Sequence, residues 1–384
     1  VLLTGAGLLG RSFARLASVE PGFRPEGAAT LRVSLSGTRY AGAAQRRDFH
    51  RALLERAARV PGVRAAGTVW YLPMSGEKSN TNFEVDGRPK SAPGSEPEAD
   101  IRLVGGDYFT AMGLPLRAGR VFTEADREGG PDVFVVNDAL ARRYFRGESP
   151  VGRRLVYEWD RVVNGRPELY MLTGTVVGVV GSEREGGPTA EPSPGIYRWY
   201  RQEPARQANL VVRTGGDPGA VLPALVAAVH AVDPQLAVAG ARTMEDVVGG
   251  TIARPRLTLT LFGAFAAMAM LLAGLGIYGV VAFSVAQRRG EMGVRMALGA
   301  GRGDVVRLVV GQGMKLAGAG VAAGLAAALV LTRLMASLLF GVTPADPAAL
   351  LGAAAFLGGV ALFASWLPAR RAASADPILA LKAE

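Results

Sequence analysis

The sequence predicts an α+β water-soluble domain of two subdomains, followed by an all-α membrane bundle with three clear helices. Three observations lead there. Residues 20–256 have the mixed polar and apolar composition of a soluble domain, with helix-like and strand-like periods alternating. Residues 257–367 are nearly free of charge except in two short islands. The shift between these regions is abrupt and marks a boundary near Arg256. The predicted parts are 1–19, the outer end of a preceding membrane helix; 20–250, an extracytoplasmic domain; and 251–384, a helical membrane domain.

Composition removes several classes of function. The net charge is +10, but the arginines are scattered and form no basic stripe with interleaved aromatics. An arginine-rich coding bias explains them better than nucleic-acid binding. With no cysteines there are no disulfides and no thiolate metal sites. The two histidines, His50 and His230, read as helix-flank residues rather than metal ligands. GxSxG, HExxH and GxxxxGK[ST] are all missing from the sequence. Gly5–Gly10 matches GxGxxG, yet only a few residues precede it, too few for the strand that a dinucleotide site requires. A membrane-helix end rich in small residues is the better reading.

The soluble region carries legible elements. Phe49, Leu53, Ala57 and Val60 recur at helical spacing and stop at Pro61-Gly62. Strands are expected over Ala29–Leu35, Val63–Trp70, Val133–Val136, Tyr170–Val180 and Asn209–Thr214. Asn137 opens a short helix to Phe145. Asp217-Pro218 reads as the start of a helix reaching Val232. Thr243 with Asp246 suggests a capping pair. Ser182–Gly195, rich in Gly, Pro and charge, reads as a mobile loop. The acidic groups Glu124/Asp126/Glu128 and Glu183/Glu185 read as solvated turns. Tyr197, Trp199 and Tyr200 read either as half-buried strand residues or as a ligand or partner contact.

Three apolar runs follow, with helices expected at about 257–286, 308–339 and 348–367. Leu257–Ala286 holds no charge. A helix of about 30 residues spans about 45 Å, more than a hydrocarbon core of about 30 Å. The second crossing is flanked by Lys315 and Arg333; the third lies between Pro347 and Pro368 and carries Trp366 as an interfacial anchor. Arg288, Arg289, Arg295, Arg302 and Arg307 lie between the first two runs, and Arg370, Arg371 and Lys382 follow the third. The positive-inside rule puts these in the cytoplasm. The turn holding only Asp346, and the large domain, then face out. Within the second run Gly320 and Gly324 form a GxxxG that could bring helices close.

The segment QRRGEMGVRMALGA, Gln287–Ala300, is the most informative stretch. Glu291 and Arg295 form an i,i+4 pair in the favourable order. Met292 and Met296 share one face, and Val294 and Leu298 another. Gly299 can close the helix. Such a segment is either a membrane-surface connector or a peg that docks into a soluble partner.

This stretch resembles the signature of MacB/FtsX-type ABC-transporter permeases, R-x-x-E-[IM]-G-[IV]-R-[MK]-A-[LI]-G-A. GIYG at Gly276–Gly279, PARRAA from Pro368, Asp376-Pro377 and the Leu379–Leu381 end are similar to that family too. GDYFTAMGLPLRAGR over Gly106–Arg120, Val135–Phe145, Pro150–Arg153 and Val176–Gly181 resemble its periplasmic core domain. The chain looks closest to duplicated permeases, with two such units in one polypeptide. The resemblance implies a unit of one helix, an ectodomain and three helices, with most of the first helix lying outside this sequence. It implies residence in the bacterial inner membrane, and a coupling helix made of Glu291, Met292, Gly293, Val294, Arg295, Met296, Ala297, Leu298, Gly299 and Ala300. It also implies an ABC-type ATPase partner that binds the ATP, so that the chain is no enzyme and carries no cofactor. A second permease unit, membrane lipid and a periplasmic adaptor are the remaining implied partners. The activity implied is mechanotransmission serving export; a regulator that signals to an envelope enzyme without transport is the alternative.

Overall fold

The computed structural model describes residues 1–92, 94–163, 166–187, 189–298, 300–334, 343 and 346–373. The chain divides into two compact units, Val19–Ile252 and Val1–Ser18 with Ala253–Glu384.

Val19–Ile252 is a mixed sheet with helices packed on it. Its strands are β1 (Ala28–Ser34), β2 (Val63–Val69), β3 (Asn80–Val85), β4 (Glu98–Gly106), β5 (Leu116–Gly119), β6 (Val133–Asn137), β7 (Arg154–Val163), β8 (Arg166–Val180), β9 (Gly195–Trp199), β10 (Gln207–Thr214) and β11 (Val238–Thr243). They order as β11-β1-β10-β2-β4-β3-β7-β8-β6-β9, with β5 beside β8. An extra parallel pairing of β4 with β9 closes a ring through β3, β7, β8 and β6. Most pairs are antiparallel; β6 with β8 is the other parallel one among the described residues. Closing the ring satisfies the edges of β4 and β9, which would otherwise be open for pairing with another chain.

Two hydrophobic clusters fill this unit. One is built from α2 (Ala43–Ala58), α3 (Tyr108–Met112) and α5 (Leu222–Val232) against β1, β2 and β10, around Leu31, Leu53, Tyr108, Leu210 and Leu225. The other joins α4 (Asp138–Phe145) to the ring strands, around Phe83, Ile101, Phe134, Phe145 and Tyr157. Side chains alternate across a strand, so neighbouring residues serve different clusters: Ile196 the second and Tyr197 the first.

Local signals explain most boundaries. Asn137 caps α4 by accepting from Leu140 N at 2.9 Å. The Thr243/Asp246 pair is reciprocal: Asp246 N donates to Thr243 Oγ1 at 3.1 Å, and Thr243 N to Asp246 Oδ2 at 3.2 Å. One start differs from expectation. Asp217 accepts from Gly219 N in a tight turn, and α5 begins only at Leu222 with Pro223 in its first turn. Asp217 spends its oxygen on the turn, so the helix waits for the next proline.

The second unit is helical: α1 (Leu2–Ala17), the part of α6 (Met244–Gln287) beyond Ile252, α7 (Arg289–Ala297), α8 (Arg302–Leu334) and α9 (Pro347–Ala373). Among the described residues, three helical stretches are long and apolar enough to cross a membrane: Pro255–Gln287, Arg302–Thr332 and Pro347–Arg371. Each extends beyond its uncharged run, because hydropathy marks where lipid contact begins while capping marks where the helix begins. Asp304 accepts from Gly301 N at the start of α8. Asp346 accepts from Ala348 N and Ala349 N at 3.0 and 3.1 Å and places Pro347 in the first turn of α9. Pro368 sits inside α9 rather than ending it. The expected second helix end, 335–339, lies outside the described residues. Gly5–Gly10 is helical within α1, and a Cβ at Gly7 would lie 3.9 Å from Ala349, so its small residues serve helix contact and no phosphate loop exists there. Arg11 Nη1 meets Asp346 Oδ1 at 2.5 Å, tying α1 to the cap of α9.

Candidate functional site: a two-faced helix and a buried charge cluster

α7 joins the ends of two long helices in the helical unit, and its faces differ. Met292 is buried with Val281 and Val285 of α6, Val305 and Val309 of α8 and Ala369 of α9; Met296 is partly buried against the same group. Met suits such an irregular junction because its unbranched chain adapts to the gap. The other side is open. Leu298 is 83% exposed and Val294 46%. Arg295 Nη2 donates to Glu291 Oε1 at 2.8 Å, with both side chains about half exposed. Gly293 and Ala297 lie in the helix, Ala300 follows it, and Gly299 is outside the described residues. α7 thus combines a fixed face with an apolar, charged face that the protein leaves uncovered.

Gly320 and Gly324 are on α8 and line a cavity of about 290 Å³ shared with α1, α6 and α9. A Cβ at either would meet nothing within 4 Å. Within this chain these glycines make no close helix contact.

Four readings from sequence are corrected in the ectodomain. Glu183 and Glu185 are not solvated: both are buried, Glu183 completely. They converge on Arg102 of β4, also buried. Arg102 Nε lies 3.0 Å from Glu183 Oε1 and 2.5 Å from Glu185 Oε1, and its Nη2 pairs with Glu185. Tyr108 and Tyr197 donate their hydroxyls to Glu183 at 3.1 and 3.0 Å. Asp100 adds a third carboxylate, 3.9 Å from Arg102 Nη2, and accepts from Ser193. Gly195 makes room for this packing: a Cβ there would fall 2.2 Å from Arg102 Nη1. Burial pushes the Glu183 carboxyl up to about 7; Arg102 opposes this and Glu185 adds to it.

The second correction concerns Ser182–Gly195. Its described residues are anchored at several points by the cluster, by Ala139 N donating to Ser182 Oγ at 2.7 Å, and by Asn137 Nδ2 donating to Ser193 O. The third concerns His50, which is buried rather than on a helix flank. It sits between Ala205 O and Thr68 Oγ1, and burial drives it down to about 4.

Other expected features resolve simply. Tyr197, Trp199 and Tyr200 are all buried core residues. Glu124 and Glu128 are exposed and pair with Arg201 and Arg47. The fourth correction is Asp126, which is buried rather than solvated; despite that burial its carboxyl is held low by Arg120 and Thr123. His230 is exposed at the end of α5.

The comparisons with known proteins agree with this division. Residues 8–247 match the MacB-like periplasmic core domain, and residues 263–377 match the FtsX-like permease C-terminal domain. The chain is 28% identical over 306 residues to the macrolide export ATP-binding/permease protein MacB of Bradyrhizobium diazoefficiens, covering 75% of this chain and 44% of that protein. It is 24% identical over 293 residues to the uncharacterized ABC transporter permease YknZ of Bacillus subtilis, covering 75% of this chain and 71% of that one. The chain therefore spans less than half of the first relative. Among solved structures, the periplasmic region of MacB from Actinobacillus actinomycetemcomitans is 17% identical with a TM-score of 0.37, covering 60% of this chain and 94% of that one. That similarity is too low to carry an argument. With a core-domain match over most of its length and a permease match over its membrane helices, this chain belongs to the MacB/FtsX-type family of ABC-transporter permeases.

Proposed function

We propose that this chain is a multi-pass inner-membrane permease subunit that works by mechanotransmission, coupling ATP hydrolysis by a partner in the cytoplasm to conformational change outside the membrane, in the service of export. The face of α7 formed by Glu291, Val294, Arg295 and Leu298 is the contact for the ATPase. The Met292 face transfers the motion to α6, α8 and α9. α6 then carries it toward the ectodomain, and a second permease unit, in a homodimer or a tandem repeat, completes the working assembly. The ectodomain's two hydrophobic clusters are read as its two subdomains.

The observation that carries this reading is the two-sidedness of α7. A docking peg uses both an uncovered apolar side chain and an ordered ion pair, and Leu298 beside Glu291–Arg295 supplies them; a membrane-surface connector would instead bury Leu298 in lipid. Coupling by a ligand or partner requires different contacts in two states, and a rigidly seated peg with a free outer face supplies them.

The test is co-purification of the full chain with its ATPase. Leu298→Glu and the double reversal Glu291→Arg/Arg295→Glu are expected to weaken the complex while membrane insertion stays intact. Undiminished co-purification in both would overturn the docking role. ATPase stimulation without export, together with a stable complex with a cell-wall hydrolase, would replace export by signalling to an envelope enzyme.

A further inference from the structure

The buried cluster is placed where it can control how the ectodomain holds its own chain ends. Glu183 and Glu185 belong to the segment 182–187, and that segment also grips the first residues of the unit. Arg184 N donates to Pro21 O at 2.9 Å, and Arg184 Nε to Glu20 O at 3.0 Å. Gly22 has φ +86°, and a Cβ there would lie 2.1 Å from Ser182 O, so the two backbones are in direct contact. At the far end of the segment, a Cβ on Gly187 would lie 4.0 Å from Thr251. Val19 and Ile252 are the first and last residues of this unit. The segment is therefore hydrogen-bonded to chain within two residues of the first and runs beside Thr251, next to the last.

The charges of the cluster do not balance. One guanidinium, Arg102, faces Glu183, Glu185 and Asp100. The other polar groups around it, Tyr108 of α3, Tyr197 of β9 and Ser193, are neutral donors. Arg184 on the same segment directs its guanidinium away, to Glu20 O and Ala190 O. A sealed site with more carboxylates than cations is relieved by taking up a proton.

We propose that Arg102, Glu183 and Glu185 form a proton-sensitive latch that docks segment 182–187 onto residues 20–22 and beside Thr251, closed when Glu183 is protonated and loosened when it is ionised. The sign follows from linkage. Glu183 titrates near 7 when docked and near its ordinary 4.5 when released. Docking is fully favoured below the lower value and weakens as pH rises toward the upper one. Proton activity outside the membrane would thus tune how firmly the ectodomain holds its first residues, beside the start of the chain that leaves it. This inference is independent of which cargo or partner the permease serves.

Hydrogen exchange of the full chain in nanodiscs tests it, with rates corrected for the intrinsic effect of pH. Between pH 6 and 8, protection in peptides covering 182–187 and 19–24 should fall about tenfold. Amides of β1 and β10 should hold their protection and report an intact fold. Glu183→Gln, nearly isosteric, should keep the segment protected and abolish the pH dependence. Glu185→Gln removes a like charge and should move the transition to lower pH. Wild-type protection that is flat with pH, or an unchanged pH dependence in Glu183→Gln, would overturn the latch.

Discussion

Two arginine–carboxylate groups in this chain share their chemistry and differ in everything else. Arg295 and Glu291 lie on an exposed helix face, with both side chains about half accessible. Arg102 and its carboxylates are sealed, with the arginine side chain 2% accessible. Water and salt screen the first pair, so it contributes little to folding and stays available to a partner. The second group was taken out of water at high cost, and each member depends on the others. The contrast teaches that a charge pair on α7 can be spent on recognition, whereas the ectodomain pair can act only through the fold.

The comparison can be broken most directly at Arg102. Arg102→Met leaves three buried carboxylates without their cation and should cost about 3–5 kcal/mol of ectodomain stability. Denaturant unfolding of the full chain in detergent, followed by tryptophan fluorescence, would read it. A loss below 1 kcal/mol would mean that the cluster is hydrated and resembles the α7 pair after all. Next is Gly195→Ala. The guanidinium it displaces is pinned on several sides, so the added methyl should cost about 1–3 kcal/mol. Ala at Gly320, with nothing near its Cβ, should have no comparable effect on the same chain.

A subtler effect comes from His50. It is held neutral, titrating near 4 against an unfolded value of 6.5. Below about 6.5 the unfolded chain binds a proton that the folded one refuses, so stability contributed by this site falls as pH drops from about 6.5 to about 4. Glu183 acts in the opposite sense over an overlapping range. Melting temperature should therefore decline less on acidification in His50→Gln than in wild type. Parallel curves would show that His50 is not kept neutral. The smallest stability effect is expected at Glu291→Ala, about 0.3–0.5 kcal/mol from the lost i,i+4 pair. Its ATPase affinity should nevertheless drop measurably. A large stability loss with intact binding would reverse the roles assigned to the two groups.

The legibility of the sequence follows the same line. The membrane helices could be read because a long uncharged run has few alternatives in water. α4 and the start of α6 could be read because Asn137 and the Thr243/Asp246 pair act on neighbours three residues away. The faces of α7 followed from helical spacing alone. The charge cluster was invisible because one half comes from β4 and α3 and the other from β9 and the 182–187 segment, whose Glu183 and Glu185 lie 75 residues beyond Tyr108 and 83 beyond Arg102. A Gly/Pro-rich stretch with alternating charges has the composition of a mobile loop, and composition does not record burial. The one local hint was Glu183 and Glu185 two apart beside an aromatic strand, a pattern with many solvated instances.

By itself, the sequence determined the split into a soluble domain and a membrane bundle, the capping of several helices and the two-faced segment that follows the first long apolar helix. Each of these depends on residues within a few positions of one another or on bulk hydropathy. Tertiary structure alone decided that β4 pairs in parallel with β9, that Gly195 clears space for Arg102, and that an apparent loop is anchored by buried ions. Those outcomes depend on which strands become neighbours when the ring closes. Desolvation, which turns an ordinary glutamate into a group titrating near neutrality, exists only after that closure.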